Sequence, residues 1–290
     1  MSVSTRWGLP LAYVAICLIW GSTYLAIKVG LESFQPFFYA GIRYLLATVL
    51  AFGVARWRGV SFSGPLRRWW RALVVGVLFI GTCNGLVFWA ETRLDSGFTA
   101  LLITANPLWV ALLTPLFPGE GRLGPRGWAG VVVGLAGSVL IINPARMEAF
   151  ALTAALAVLG SVVIWSATSL WVRGFRDSYH PLALTVVQMA SGAVVLLAAA
   201  ALHGPALAGP VTTRAVAALA FLVVFGSLVA FFAYFYLLQH WDAARVASST
   251  YINPVVALIL GALILGEAIT WNMLLGGAIV LLGVTLVLRR

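Results

Sequence analysis

Long uncharged stretches alternate with short polar segments along nearly the whole chain. Eight intervals contain no Asp, Glu, Lys or Arg: 7–27, 72–90, 96–119, 127–145, 149–172, 215–241, 246–266 and 268–288. A helix that crosses the roughly 30 Å hydrocarbon core of a bilayer needs about 20 such residues. Two further apolar spans are predicted, over 36–55 with Arg43 inside it and over 181–202 before His203. The pattern predicts an all-α polytopic membrane protein with ten transmembrane helices.

The predicted helices form two groups of five. The first group, within residues 1–145, has spans near 9–29, 36–55, 72–90, 97–117 and 126–142. The second group, within residues 146–290, has spans near 149–171, 181–202, 215–237, 246–265 and 270–288. The first apolar run is too long for a cleavable signal peptide, so we interpret it as an uncleaved span. Cys17 and Cys83 lie inside apolar runs and are expected to be free, buried thiols.

Composition and motifs narrow the function further. Of the 290 residues, 62% are hydrophobic and 9% are charged, against about 25% charged residues in a soluble protein. The phosphate-binding pattern G-x-x-x-x-G-K-[ST] does not occur, so ATP hydrolysis is not expected. We expect no cofactor, no metal ion and no nucleic-acid partner. The expected partners are membrane lipid and a small-molecule substrate.

Basic residues are distributed unevenly between the loops. Loops on the side of the N-terminus carry 13 basic residues and loops on the other side carry 4, while Arg43 is inside a span. Short loops rich in Lys and Arg are retained in the cytoplasm. Both termini are therefore predicted to be cytoplasmic, in a bacterial inner membrane. The mixture of Trp and Arg over 56–71 indicates an anchor at the membrane interface rather than a nucleic-acid patch.

The chain repeats one phrase. Residues 105–120 read ANPLWVALLTPLFPGE and residues 252–267 read INPVVALILGALILGE. The matching pairs at an offset of 147 are Asn106 and Asn253, Pro107 and Pro254, Glu120 and Glu267, and Asp95 and Asp242. Trp20 with Trp165 and Pro36 with Pro181 match at an offset of 145. Because each half has an odd number of spans, the second copy should enter the membrane from the opposite side. Such inverted-topology repeats place a substrate site near the midplane.

These residues carry a family resemblance over essentially the whole chain. Trp20 in span 1, Pro36 opening span 2 with Arg43 inside it, and the Asn-Pro pair of span 4 followed by Glu120 are similar to the EamA-type members of the drug/metabolite transporter superfamily. The resemblance implies two inverted five-helix units around a central cavity, with spans 5 and 10 peripheral. It also implies export of small metabolites, often amino acids, as in the aromatic amino acid exporters of this group. Gln188 occupies the place of Arg43 in the second half, so charge-based binding would be one-sided.

The two Asn-Pro pairs are predicted to be hinges beside the cavity. A proline inside a helix removes one donor and frees the carbonyl four residues earlier, here that of Ile103 or Thr250. A freed carbonyl should face protein or a water-filled cavity. Asn106 and Asn253 could donate to these carbonyls or to substrate. The alternative is that Pro107 and Pro254 only kink the helices for packing.

Arg43 is the one basic residue well inside a span, where it needs compensation. Its guanidinium could bind a substrate carboxylate, form an ion pair with Glu91, or extend to the outer interface. Polar and aromatic residues on neighbouring helices could complete a site for a small amphipathic ligand. The cavity candidates are Trp20, Tyr24, Arg43, Asn84, Phe88, Asn106, Trp165, Gln188, Tyr234, Ser248, Tyr251 and Asn253.

The sequence favours a transporter that exports small metabolites by alternating access, with aromatic or other hydrophobic amino acids as the expected substrates. The alternatives are an exporter of drugs or other amphipathic metabolites and, more remotely, an intramembrane lipid-modifying enzyme. No acidic residue is expected deep within a span, which favours facilitated flux over proton coupling. Gly127, Gly130, Gly134 and Gly137 share a face of span 5, which we assign to internal packing within a monomer or weak homodimer.

Overall fold

The computed structural model describes residues 3–63, 66–117, 124–143, 145, 147–173, 179–241, 246 and 249–288. The first five spans are α1 (Val3–Gly30), α2 (Pro36–Trp57), α3 (Leu66–Val75, Gly76–Thr82 and Cys83–Ala90), α4 (Ser96–Ile103 and Asn106–Leu113, followed by a 3-10 turn, Thr114–Leu116) and α5 (Pro125–Ile142). The other five are α6 (Ala149–Arg173), α7 (Pro181–Leu202), α8 (Thr213–Phe221, Leu222–Val229 and Ala230–His240), α9 (Ser249–Leu260 and Gly261–Leu265) and α10 (Trp271–Leu288).

The prediction of an all-helical membrane protein with ten spans is confirmed. In the described part of the chain, eight spans are at least 18 residues long and apolar enough to cross a bilayer. Ser249–Leu265 and Trp271–Val287 are shorter apolar helices. The helix α3 begins at Leu66 instead of residue 72, because the segment that carries Arg67 and Arg71 is helical as well. Charge marks the end of an apolar run and not the end of its helix.

Equivalent helices of the two halves begin in the same way. Pro36 and Pro181 occupy the first turns of α2 and α7, where the missing N–H of proline is not needed. The residue before each proline caps the helix: Gln35 Oε1 accepts from the N–H of Phe38 at 2.7 Å, and His180 Nδ1 accepts from that of Leu182 at 3.2 Å. A Pro with a polar cap therefore fixes the start of the second helix in each half.

Three π-helical turns occur in the part of the chain that the structure describes. One lies in α3 (Gly76–Thr82) and one in α8 (Leu222–Val229), at matching places in the two halves, and the third ends α9 (Gly261–Leu265). Such turns are rare and often occur at functional sites. Side chains bond backbone carbonyls five residues earlier in the first two: Thr82 Oγ1 to Val77 at 3.1 Å and Ser227 Oγ to Leu222 at 2.9 Å.

The packing of the spans alternates between the halves. Helix α1 packs on α8 and α9, and its counterpart α6 packs on α3 and α4. Helix α2 packs on its own counterpart α7, and α5 packs on α10. The pattern is unchanged when each helix is exchanged for the one five places later. The halves are therefore interleaved and not two separate bundles.

Glycine faces join α5 to α10. A Cβ atom added to Gly283 would lie 2.5 Å from the carbonyl oxygen of Gly130, and one on Gly137 would lie 2.8 Å from that of Gly276. No larger residue fits at such separations, and small residues are what lets two membrane helices approach this closely. The glycine face of span 5 is used for packing inside the chain, as the sequence predicted.

Hydrogen bonds place four loops on one side of the molecule, which we call the Glu91 face (residues 31–35, 91–95, 203–212 and 266–270). Gln35 N–H donates to the carbonyl of Ala206 at 3.0 Å, and Ser33 Oγ donates to that of Pro210 at 2.7 Å. The loops that contain residues 58–63 and 179–180 lie together on the opposite side, the Arg58 face, where the hydroxyl of Tyr179 donates to the Arg68 carbonyl.

Candidate functional site

Arg43 lies buried between three helices, with 5% of its surface exposed. Its Nε donates to Ser227 Oγ of α8 at 3.1 Å, and its guanidinium carbon lies 4.8 Å from the ring centre of Tyr44 and 5.9 Å from that of Phe88. The π-helical turn of α8 brings Ser227 to this position. A buried guanidinium against aromatic faces can bind a carboxylate through its terminal nitrogen atoms.

Two interpretations of Arg43 fail in this conformation. The side chain does not extend to the membrane interface, because its Nε is bonded to Ser227, which lies in the middle of α8. It is not hydrogen-bonded to Glu91 either, because both carboxyl oxygens of Glu91 lack a hydrogen-bond partner. Ser227 and the two aromatic rings take the place of the expected carboxylate.

Aromatic side chains of α1 and α8 contact one another. The ring of Trp20 lies 5.4 Å from that of Tyr234 and 6.0 Å from that of Phe231, centre to centre. Tyr24, one turn further along α1, is half-buried. The structure therefore brings two of the predicted residues, Trp20 and Tyr234, into direct contact.

A second group joins α2, α3 and α6. The hydroxyl of Tyr44 donates to Asn84 Oδ1 at 2.7 Å, and Asn84 Nδ2 donates to the Phe79 carbonyl at 3.2 Å. The ring centre of Phe79 lies 3.7 Å from that of Trp165, which is 37% exposed. Since Tyr44 also contacts Arg43, this group continues from the guanidinium into the first half of the chain.

The first Asn-Pro pair lies at a break in α4. The helix stops at Ile103, turns through Thr104 and Ala105, and starts again at Asn106 with Pro107 in its first turn. Ser166 of α6 donates to the carbonyl of Asn106 at a distance of 3.4 Å.

The second Asn-Pro pair lies inside a continuous helix, because α9 runs from Ser249 to Leu260 through Pro254. With its amide oriented to donate, Asn253 Nδ2 is 3.0 Å from the carbonyl of Ser249 and 3.2 Å from that of Cys17 in α1. Tyr251 and Pro254 line a small cavity of about 40 Å³ against α4 and α10. The second copy of the phrase thus links α9 to α1, away from the Arg43 group.

The remaining candidates have other surroundings. Phe88 is fully buried and its ring centre is 5.3 Å from that of Tyr39. Gln188 is half-buried on α7, where its backbone packs against Gly76 of α3. Ser248 lies outside the described residues, as do Glu120 and Asp242.

Charged groups meet at the Glu91 face. Lys28 Nζ donates to the carbonyl oxygens of Glu91 at 2.8 Å and Leu94 at 2.7 Å. The carboxylate of Glu267 accepts from Ser96 N–H at 2.8 Å, Ser96 Oγ at 2.9 Å and Gly97 N–H at 3.1 Å, so it caps α4. Burial raises the pKa of Asp95 above its ordinary value, with Glu267 adding to the rise and Lys28 opposing it.

The larger cavity lies at the Arg58 face and has a volume of about 380 Å³. Its lining residues are Arg58, Gly59, Val60, Ser61, Ser63, Arg68, Trp69, Tyr179 and His180. Neither this cavity nor the one beside Tyr251 is lined by Arg43, Trp20 or Asn84. Trp20 is in contact with Tyr234, and Arg43 is linked to Asn84 through Tyr44, in this conformation.

Sequence analysis missed Tyr44 and Ser227, which contact Arg43, and Phe79, which contacts Trp165 and Asn84. Ser227 was not detectable from periodicity, because a π-helical turn shifts the face on which a side chain lies. Tyr44 directly follows Arg43 in the sequence. The sequence shows that Tyr44 is next to the arginine, but it does not show the hydrogen bond of Tyr44 to Asn84.

Comparisons with known proteins follow the same two-part division. The sequence model of the EamA-like transporter family matches residues 6–143 and again residues 152–289. A protein of Escherichia coli (strain K12) named "Uncharacterized inner membrane transporter YedA" is 32% identical over 265 residues, which cover 90% of this chain and 85% of that protein. "Protein PecM" of Dickeya dadantii (strain 3937) is 32% identical over 272 residues, which cover 91% and 86%. A crystal structure with 23% identity has the same fold, with a TM-score of 0.68 over 98% of this chain and 99% of that one.

Proposed function

The chain belongs to the EamA-like transporter family and is a membrane transporter rather than an enzyme, and we propose that it exports aromatic or other hydrophobic amino acids. The observation that carries the proposal is the buried Arg43 beside aromatic rings. The guanidinium would hold the substrate carboxylate, and the rings of Trp20, Tyr234 and Trp165 would contact its apolar side chain. A charged anchor among aromatic walls suits a small amphipathic ligand.

Alternating access between the two halves is the mechanism we propose. It is supported by the interleaved packing, in which α1 and α6 make corresponding contacts with the other half. Helix α7 begins at the Arg58 face and ends at the Glu91 face, where α1 also ends. Helix α6 comes directly before α7 and therefore ends at the Arg58 face, so α6 and α1 are antiparallel. This arrangement is what an inverted repeat of residues 1–145 in residues 146–290 requires. The Asn-Pro segments at Pro107 and Pro254 would act as hinges beside the path.

We further propose a bacterial inner membrane as the location, with both termini in the cytoplasm. The 13 basic residues predicted on the side of the termini support this orientation. The Glu91 face would then lie outside the cell. Carboxy-terminal fusions test the orientation: green fluorescent protein should fluoresce and alkaline phosphatase should be inactive, and the reverse result would contradict it.

The role of Arg43 is tested by transport into liposomes. Exchange of labelled phenylalanine is compared with exchange of phenethylamine, which has the same ring and amine but no carboxylate. We expect Arg43→Gln to raise the apparent Km for phenylalanine about 10- to 100-fold, because charged hydrogen bonds are lost. Arg93→Gln, which changes an exposed arginine, is the matched control.

Two results would contradict amino acid export through Arg43. An unchanged Km for phenylalanine in Arg43→Gln would show that the guanidinium does not bind the substrate. Wild-type transport of phenethylamine in preference to phenylalanine would favour the alternative, export of cationic drugs or other amphipathic metabolites. A wild-type protein that exchanges neither compound would require a different substrate class.

A further inference from the structure

Glu91 is a buried acid at the end of a span. It directly follows α3, no part of its surface is exposed, and neither Oε1 nor Oε2 has a hydrogen-bond partner among the described residues. The sequence placed this residue at the end of a span, where water would normally solvate it. Contacts between the loops at 31–35 and 203–212 help to cover that end of the protein.

The neighbouring cations are engaged elsewhere. Lys28 of α1 donates to backbone carbonyls, including that of Glu91 itself, and Arg43 of α2 donates to Ser227. The charged groups that act on the carboxyl are Lys28, Arg43 and Glu267, and the hydroxyls of Tyr24 and Tyr39 are also within electrostatic range. An isolated carboxylate in such surroundings is costly, so the neutral acid is favoured.

Burial raises the pKa of Glu91 well above its ordinary value, Glu267 raises it further, and Lys28 and Arg43 oppose the rise. Glu267 on the same face receives three hydrogen bonds, whereas neither carboxyl oxygen of Glu91 has a hydrogen-bond partner among the described residues. The carboxyl group of Glu91 therefore contributes no hydrogen bond to the fold in this conformation. Groups of this kind are candidates for proton binding at functional sites.

We propose that Glu91 is a proton-binding site that couples transport to pH, an inference that rests on the transport function proposed above. The carboxyl group holds its proton while the Glu91 face is closed. When that face opens, Glu91 transfers the proton to water, and the resulting carboxylate is stabilised by Lys28 or Arg43. This proposal differs from the expectation of facilitated flux, which rested on the absence of an acidic residue deep within a span.

The first test does not depend on the substrate. Infrared difference spectra of the whole protein are recorded over a pH titration in a maltoside detergent, which contains no ester carbonyl. We expect wild type and the control Glu32→Gln to lose the band of a protonated carboxyl group as the pH rises above the ordinary range of a glutamate. The variant Glu91→Gln should lack the part of that band that comes from Glu91, so its band should be weaker than that of wild type. A band unchanged in Glu91→Gln, or absent from wild type, would overturn the proposal.

Thermal unfolding gives a second measurement. In the folded state Glu91 binds a proton more tightly than in the unfolded state, so between the two pKa values the folded protein binds more protons. The contribution of Glu91 to wild-type stability is therefore fully present below the unfolded pKa of about 4.3 and is lost as pH rises through the folded pKa. Glu91→Gln, which stays neutral, should lose this part of the pH dependence. An identical dependence in both proteins would count against the site.

Transport in liposomes tests the coupling itself. Exchange of labelled phenylalanine without a pH gradient should persist in Glu91→Gln, and the effect of an imposed pH gradient on net flux should disappear. Glu32→Gln should respond to the gradient as wild type does. If wild type does not carry phenylalanine, the proposed substrate fails, while the infrared and unfolding measurements still decide the role of Glu91. A full gradient response in Glu91→Gln would overturn the coupling.

Discussion

The two copies of the Asn-Pro phrase have different structures. In α4 the helix breaks at Thr104 and Ala105 and restarts with Pro107 in its first turn, whereas α9 continues through Pro254. The copies are also used together, because Glu267 at the end of the second caps the helix that contains the first. The two copies of the phrase therefore follow different backbone paths, and the second copy makes a contact between the halves.

The largest expected effect comes from removing the cap. Glu267→Ala would leave the N–H groups of Ser96 and Gly97 and the Ser96 hydroxyl without their acceptor. We expect a loss of about 2–4 kcal/mol in the free energy of unfolding, from the lost cap and its charged hydrogen bonds. Chemical unfolding in detergent measures it, with the exposed Glu148→Gln as the control. Equal free energies of unfolding for the two variants would show that the contact of Glu267 with α4 does not stabilise the protein.

The next largest effect is a difference between the two prolines in how their replacement by alanine changes the free energy of unfolding. Pro254 lies inside a helix, where proline costs about 3 kcal/mol in a soluble protein, and Pro107 lies in a first turn, where it is tolerated. We expect Pro254→Ala to stabilise the protein by about 1–2 kcal/mol and Pro107→Ala to change it by less than about 0.5 kcal/mol. Similar changes in the free energy of unfolding for both variants would show that the two prolines do not differ in their effect on helix stability.

The same variants test the hinges. If both Asn-Pro segments bend during the cycle, the double variant with alanine at residues 107 and 254 should exchange phenylalanine more slowly than either single variant. Full transport activity in the double variant would show that the prolines affect packing only.

The smallest expected effect concerns the asparagine contacts. Asn253→Ala removes a hydrogen bond between α9 and α1, to the Cys17 carbonyl. Such interhelical bonds contribute about 0.6 kcal/mol on average in membrane proteins. Ser166→Ala removes the 3.4 Å contact to Asn106 and should cost less, because that hydroxyl also bonds the Val162 carbonyl at 2.8 Å. A larger loss in Ser166→Ala would reverse the order.

Much of the fold was predictable because membrane spans are encoded in apolar length. The ten helices and the inward glycine face of α5 follow from composition and spacing, which act locally. The positions of Ser227 and Glu91 could not be predicted in the same way. A π-helical turn changes the side-chain register, and Glu91 is buried near Lys28, Arg43 and Glu267, which lie far from it in the sequence.

The residue types of the candidate site were predictable from the sequence, but the contacts between those residues were not. Trp20 is in contact with Tyr234, and Asn84 is in contact with the hydroxyl of Tyr44. Tyr251, in contrast, lines a cavity against α4 and α10. Aromatic residues are frequent throughout the chain, so abundance alone does not separate a cavity wall from the core. Only the packing of helices from both halves selects among them.

The glycine contacts between α5 and α10 have a mechanical consequence. Backbone lies against backbone there, with 2.5 Å between a carbonyl oxygen and the place a methyl group would take, so sliding along this line would produce steric clashes. Rotation about it is less restricted. We expect the pair to serve as the fulcrum of the transport cycle, with displacements that grow with distance from it and are greatest among α1, α2, α7 and α8.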